Sequence, residues 1–518
     1  MTKSAEEDYS IVALDKFIQA TRDSGYKGTS SAVAELIDNS LQAGATEIAV
    51  SITVAETDEA YPLVLSVIDN GSGMDARTLR TALRFGGTSR FNDRNGLGRY
   101  GMGLPNSSLS QAKRVTVHTW RSRKGQVLRS YLDIDEIANG VITAVPEPTV
   151  VPRPTFINGH ASGTAVTWSR CDRLDNRRTS TLTRRLLVSL GRRFRHFLWG
   201  GVSLRINGDL VEPVDPLYLH TDSQYSGATQ FGDELVFEVA SKPDAQSTAG
   251  IVRVRFSELP VEAWSKLGND EKRLRGIAKG AGVSVVRAGR EVDYGWFFLT
   301  GKRRENYDDW WRCEVAFDPV LDEAFGITHS KQQIRPMPHL VEAIAPDIEA
   351  IARALNGRAR KAHLAVKTAE RFSASEGRAS EKDVMLPPLP PRRRRRDKQV
   401  LDGLGQTLPP GTDASDPHHK TEYRILAKSL SETQFYNYAR DDGRFVLVIN
   451  PDHPFYKIIY KPLLEADTSA EAALRGHLDL LLLAIARTEA LLEKETDIKV
   501  AESIRKGWSD TLATLLDS

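Results

Sequence analysis

Cysteine is nearly missing from this 518-residue chain, which has only Cys171 and Cys313. Two distant thiols build neither a disulfide scaffold nor a thiolate metal cage, and they fit a reducing compartment, with the cytoplasm as the default expectation. Long apolar runs are missing as well. The stretch Leu480 to Ala486 is far short of the roughly 20 residues a membrane span needs. The opening M-T-K-S-A-E-E-D-Y-S is polar and acidic, without the apolar segment of an export signal, so no membrane role is expected. Neither charge sign is in excess: 70 Lys and Arg face 68 Asp and Glu, a net charge of +2. Attraction to nucleic acid must then come from local patches. What is present, 40% apolar and 27% charged residues, is the composition of a folded protein of about three domains.

Aromatics are absent from one long stretch. Residues 373 to 422 hold no Phe, Trp or Tyr, and within them P-P-L-P-P runs into Arg392 to Arg396. A polyproline spacer joined to a self-repelling charge run reads as an extended linker. This divides the chain into residues 1–205, residues 206–365 with strand-like runs such as I-V-R-V-R-F and a closing helix, a linker over 366–422, and a small α+β module over 423–518.

Several nucleotide-site classes are excluded by missing strings. No G-x-x-x-x-G-K-S/T phosphate loop occurs, and neither H-R-D nor D-F-G follows the glycines. Gly96, Gly98 and Gly101 match G-x-G-x-x-G, but the polar T-S-R-F-N-D-R-N before them is not the apolar strand a dinucleotide fold requires. Four elements in fixed order remain. A-E-L-I-D-N-S (34–40) has helical spacing that places Glu35 and Asn39 one turn apart on a common face, a base beside a metal ligand. S-V-I-D-N-G-S-G-M (66–74) is an apolar strand running into Asp69, able to accept from an exocyclic amine, and a turn at Gly71 and Gly73. Six glycines fall between Gly86 and Gly103, and S-G-T-A-V-T-W (162–168) starts a strand at Thr164. Eighteen residues with that glycine content are long for a mere connector.

This ordered set closely resembles the GHKL ATPases, the superfamily of gyrase B, MutL, MORC proteins, the large heat-shock chaperones and histidine kinases, with MutL-like and MORC-like proteins the most similar. The resemblance implies an α+β architecture: a Bergerat-type α/β sandwich, an α/β transducer domain, a flexible linker and a small C-terminal module. It implies ATP and Mg²⁺ as ligands, with Glu35 as general base, Asn39 as Mg²⁺ ligand and Asp69 reading the adenine amino group beside Thr164. Gly71, Gly73, Met74 and Leu104 join the nucleotide contacts, and Gly96, Gly98, Gly101 and Gly103 form a lid whose amides cradle phosphate. Lys331, in F-G-I-T-H-S-K-Q-Q-I, corresponds to the transducer lysine directed at the γ-phosphate.

The expected activity is an ATP-driven clamp, a homodimer closed by ATP through N-terminal segments. Ile11, Leu14, Phe17 and Ile18 form the apolar stripe that would pack across a partner. DNA is the expected client, held by the arginine-rich helical stretch 173–196 and by Arg392–Arg396, in prokaryotic defence or repair, with defence-system proteins as further partners. A chaperone acting on protein clients and a nucleotide-gated scaffold with little turnover are the alternatives.

Overall fold

A computed structural model describes residues 14–26, 28–55, 60–87, 102–157, 159–223, 225–243, 248–327, 333–390, 397, 400, 421–430, 433–441, 443–466 and 468–517. They divide into two compact units, Met1–Ala359 and Arg360–Ser518.

The first unit opens with α1 (Leu14–Ser24) and α2 (Thr29–Gln42), then the hairpin β1 (Glu47–Val54) and β2 (Leu63–Asp69). There follow α3 (Ala76–Leu83), α4 (Gly103–Gln111), β3 (Arg114–Trp120), β4 (Val127–Asp133), α5 (Ile134–Ala138), β5 (Thr149–Val151) and β6 (Gly163–Ser169). The domain closes with α6 (Thr179–Arg193), α7 (Arg195–Trp199), β7 (Ser203–Ile206) and β8 (Asp209–Leu210). The eight strands form one sheet in the order β5-β4-β3-β6-β2-β1-β7-β8, antiparallel except where β1 meets β7. Alternation in β2 buries Leu63, Leu65, Val67 and Asp69 on one face. Leu65 and Val67 meet the apolar stripes of α2 (Val33, Leu36, Ile37) and α6 (Leu182, Leu186, Leu190) in one core. On α1, Ile18 is buried in this same core and Phe17 packs edge-on against Phe85. Those two residues thus cover their own domain; Ile11 and the Leu14 side chain lie outside the described residues.

The first sheet runs past residue 205, where the sequence suggests a boundary. Asn207 and Gly208 both adopt positive φ (50° and 93°) and turn β7 into β8. Asn-Gly is the two-residue hairpin signal, so I-N-G-D-L belongs to the first sheet.

A second sheet is built from β9 (Thr229–Gln230), β10 (Leu235–Ala240), β11 (Ala249–Glu258), β12 (Val283–Arg287), β13 (Arg290–Gly295) and β14 (Trp311–Phe317), ordered β10-β11-β14-β12-β13 with β9 on β11. The short α8 (Val261–Trp264) and α9 (Asn269–Leu274) lie in the β11–β12 connection. Leu340, Ile344, Ile348 and Leu355 of α10 (Pro338–Lys382) fill the core of this domain with Val252, Val254, Val285 and Val315.

Helix α10 continues through residue 366, where the linker was expected to begin. Lack of aromatics does not prevent a helix. In the second unit its later turns supply Phe372 to a core with Tyr423, Phe445 and Tyr460. Ser375 donates to Asp479 (2.8 Å), and the Glu376 carboxylate accepts from Ile425 N (2.8 Å). Three strands, β15 (Glu422–Ala427), β16 (Tyr436–Asp441) and β17 (Arg444–Ile449), form a sheet ordered β15-β17-β16, followed by the helices Ser469–Ala490 and Glu495–Leu516. Arg392–Arg396 lie outside the described residues. Among the described residues no helix is long and apolar enough to cross a membrane.

The arginine-rich stretch 173–196 does not turn all its charge outward. Arg195 is fully buried, ion-paired with Glu314 on β14 and Glu291 on β13. Arg192 pairs with Glu291 (2.8 Å) and lies 3.7 Å over the Tyr294 ring, while Arg193 donates to Ser31 (3.0 Å). Arg173 bonds to Asp23 (2.7 Å). Arg177, Arg178, Arg184 and Arg185 remain exposed. Arg192 and Arg195 thus serve protein contacts, because the buried glutamates of the second sheet require cations, and Arg193 is held by Ser31.

Burial alone would raise Glu314; the His196 ring beside it (3.6 Å) and the charges of Arg195 and Arg255 outweigh it and hold the carboxyl well below its ordinary value. A depressed carboxyl contributes stability above its unfolded pKa and loses it as pH falls. Glu314→Gln is therefore expected to lower the melting temperature most at pH 7. The gap from wild type should narrow as the buffer is taken below the ordinary glutamate value of 4.5. Arg195→Met, which takes one of two arginine partners from each of two buried glutamates, should cost about 3 kcal/mol by denaturant titration.

Candidate functional site

Helix α2 carries two of the candidate residues. Glu35 is 3% exposed, and Asn39, one turn later, is partly open. Asp69 ends β2 and is 5% exposed. Its Oδ1 accepts from Gly71 N (2.9 Å) and Thr164 N (3.2 Å), and its Oδ2 accepts from Ser40 Oγ (3.0 Å). The second contact follows from sheet register, since Asp69 lies opposite Thr164 across the β2–β6 pairing. Burial raises the Asp69 carboxyl above its ordinary value, and hydrogen bonds from Gly71, Ser40 and Thr164 work against that rise.

The turn after Asp69 is held from β3: Met74 N donates to Thr119 Oγ1 (2.7 Å), whose hydroxyl reaches Gly163 O (3.1 Å). Gly73 has φ of +66°, and a Cβ there would lie 2.2 Å from the Trp120 carbonyl. The close approach that demands glycine at 73 is thus to the protein's own backbone.

Gly103 and Leu104 begin α4, a helix whose residues 104–111 are all buried. A Cβ on Gly103 would stand 2.2 Å from Glu35 Oε1, so glycine is what lets the α4 N-terminus sit against this carboxylate. The N-cap residue Met102 makes no side-chain capping bond, and first-turn amides have no intrahelical acceptors. Tyr26 is buried next to Glu35; burial first, then the Glu35 charge, push its phenol above the ordinary range.

The structure therefore brings Glu35, Asn39, Asp69, Gly71, Gly73, Met74, Gly103, Leu104 and Thr164 into one region around α2, the end of β2 and the start of α4. Gly96, Gly98, Gly101 and Lys331 lie outside the described residues. Ser40, Thr119 and Tyr26 were not singled out beforehand: Ser40 stands inside the A-E-L-I-D-N-S string, whereas only the β3–β6 pairing identifies Thr119. Among the described residues no cluster of three His, Cys, Asp or Glu could hold a metal ion. An apolar cavity of about 1000 Å³, lined by Phe17, Ile18, Leu83, Phe85, Ile137 and Ile142 among others, includes none of Glu35, Asn39, Asp69 or Thr164. It is distinct from this constellation.

Residues 26–164 match the profile of the histidine kinase-, DNA gyrase B- and HSP90-like ATPases. This segment is a GHKL ATPase domain. Proteins similar to this chain include the DNA mismatch repair protein MutL of Shewanella loihica, 27% identical over 243 residues, 45% of this chain and 36% of that protein. The protein MICRORCHIDIA 6 of Arabidopsis thaliana is 36% identical over 106 residues, 20% of this chain and 15% of that protein. The chain thus spans little more than a third of the first relative's length and less than a sixth of the second's. A solved structure, the N-terminal domain of a DNA repair protein, aligns with a TM-score of 0.40 at 16% identity, covering 66% of this chain and 98% of that one.

Two glycines of this GHKL domain separate crowding from backbone strain. Gly73 and Gly86 both have positive φ, but a Cβ at Gly86 meets nothing within 4 Å. Gly86→Ala should cost about 1 kcal/mol, and Gly73→Ala, which adds a clash with backbone, at least twice that. Denaturant midpoints of the two variants measure the difference.

Proposed function

We propose that the chain binds and hydrolyses ATP with Mg²⁺ and uses the cycle to operate a clamp on DNA. The observation that carries this reading is Glu35 set against the uncapped N-terminus of α4 with glycine at 103. The amides at that helix end suit a phosphate. The buried carboxylate beside them is placed to take a proton from water attacking the γ-phosphorus. Asp69, with Oδ1 committed to two backbone amides, has acceptor capacity left to take a hydrogen bond from the adenine amino group. A single protein ligand, the Asn39 amide, suits Mg²⁺, which keeps several waters and is otherwise held by substrate phosphates. The ion's chemistry when bound is to offset charge on the phosphate oxygens. Lys331 and the glycines 96, 98 and 101 belong to this reading as γ-phosphate and lid residues, and ATP-dependent pairing of two copies belongs to it as the clamp's closing step.

DNA as client is supported by the repair role in the MutL relative's name and by the exposed Arg177, Arg178, Arg184 and Arg185. No comparable observation favours a protein client.

Glu35→Ala is expected to keep ATP binding and lose about 10²- to 10⁴-fold in turnover; turnover at the wild-type rate would reject the base assignment. Asp69→Asn should abolish binding. Its carbonyl must stay with the Gly71 and Thr164 amides, which turns an NH₂ toward Ser40 and the adenine amine. Calorimetry with a non-hydrolysable analogue reads this directly. Changing Arg177, Arg178, Arg184 and Arg185 to Ser should flatten the salt dependence of DNA binding by about 0.9 per lost phosphate contact in log affinity against log salt. Basal ATPase activity should not change. A wild-type chain with ATP turnover that DNA neither binds nor stimulates would move a protein client to first place, and binding without turnover would leave a nucleotide-gated scaffold.

A further inference from the structure

The buried charges of the GHKL domain are not all closed within it. Asp38 lies on α2 three residues past Glu35 and next to Asn39, and it is fully buried. A cation for it comes from the second sheet. Arg290 Nε, at the first position of β13, lies 3.1 Å from Asp38 Oδ1, and the arginine is 2% exposed. The guanidinium stands 5.9 Å over the Phe194 ring at the end of α6. Among the described residues Asp38 is the carboxylate with which Arg290 pairs. Arg193 is pushed down to about 10, by burial first and then by repulsion from Arg290, as expected of neighbouring cations in a dry interface.

We propose that Arg290 is a positioning residue for ATP turnover. Through Asp38 it fixes the register and orientation of α2, and with it the Glu35 carboxylate and the Asn39 amide, so hydrolysis requires the second sheet to be docked on the first. The proposal rests on the role given to Glu35 above. A buried carboxylate that loses its cation draws in water or moves toward it. On α2 the partly open position next to Asp38 is Asn39, on the site side. Movement of the helix therefore falls on the reacting groups, where a misplacement of about 1 Å can cost 10²-fold in rate. Adenine recognition depends on Asp69, whose two backbone donors, Gly71 N and Thr164 N, belong to the turn after β2 and to β6, while one donor, Ser40 Oγ, reaches it from α2. Binding and turnover should consequently separate.

The test uses the full chain with Arg290→Gln and Arg290→Lys, following ATP turnover and calorimetric binding of a non-hydrolysable ATP analogue. Arg290→Gln is expected to bind the analogue at wild-type stoichiometry, with Kd within about threefold. Its kcat should fall about 10- to 100-fold. Arg290→Lys keeps the charge without the planar fork and should recover part of the loss. An unchanged kcat in Arg290→Gln overturns the proposal. So does a loss of binding stoichiometry that parallels kcat in both variants, because that marks a folding role alone. If Arg290→Gln does not fold, Arg290→Lys decides: full stoichiometry with lowered kcat supports positioning, and wild-type kcat removes it. A wild type without turnover overturns the ATPase reading and this proposal together. A wild type with turnover that is indifferent to Arg290 overturns this one alone.

Discussion

A carboxylate removed from water without donors or a cation costs more than a domain's whole net stability of about 5–15 kcal/mol. Yet the first unit buries Glu35, Asp38, Asp69, Glu291 and Glu314. Compensation for those charges organises its long-range structure. Asp69 is satisfied only when β2 pairs with β6, because one of its donors is the Thr164 amide across the ladder. Asp38 meets Arg290, Glu291 meets Arg192 and Glu314 meets Arg195 across the junction of the two sheets, each a carboxylate of one domain set against an arginine of the other, and Glu314 has Arg255 of its own sheet besides. Local motifs thus supply the acids, and topology supplies what makes them tolerable.

Glycine acts by the complementary constraint, the removal of bulk where backbone must come close. At Gly73 the neighbour is the Trp120 carbonyl, and at Gly103 it is the Glu35 carboxylate. The first fixes the turn that follows Asp69. The second allows a helix end and an acid to share one place. An uncapped helix N-terminus is unfavourable by itself, and a carboxylate facing its amides is one of the few partners that can offset it in the absence of an anion.

Much of this was legible before any coordinates. The 3.6-residue spacing of Val33, Leu36 and Ile37 identified α2, and the apolar run into Asp69 identified β2, because both signals are local periodicities. The constellation Glu35, Asn39, Asp69 and Thr164 was legible because the order of four short motifs is specific even though each is weak. Features resting on contacts between distant residues were not legible. The pairing of Arg192 and Arg195 could not be told from a solvated basic face, since their glutamates stand about a hundred residues later in a separate sheet. Asp38 and Arg290 carry no common motif. The missing aromatics place the start of the linker too early, since residues 373–382 continue a helix whose packing residue, Phe372, precedes the gap.

The division of the arginine stretch has a consequence for recognition. Arg192 and Arg195 are paired with glutamates, which offset their charge inside the protein, and Arg193 is partly buried with its guanidinium held by Ser31. The exposed set, Arg177, Arg178, Arg184 and Arg185, belongs to the start of α6 and the residues before it, with Asp175 as the nearby acid in sequence. Any polyanion drawn to this face therefore meets charge at the helix N-terminal end, where the positive end of the helix dipole adds to the arginines. The Arg192–Glu291 pair lies at the other end of the same helix, the Arg195–Glu314 pair just beyond it at the start of α7, and the Asp38–Arg290 pair joins α2 to the strand that carries Glu291. Helix α6 thus spans from the exposed basic patch to the buried junction between the two sheets. A ligand held at one end bears on a rigid element whose other end is anchored beside the helix that carries Glu35.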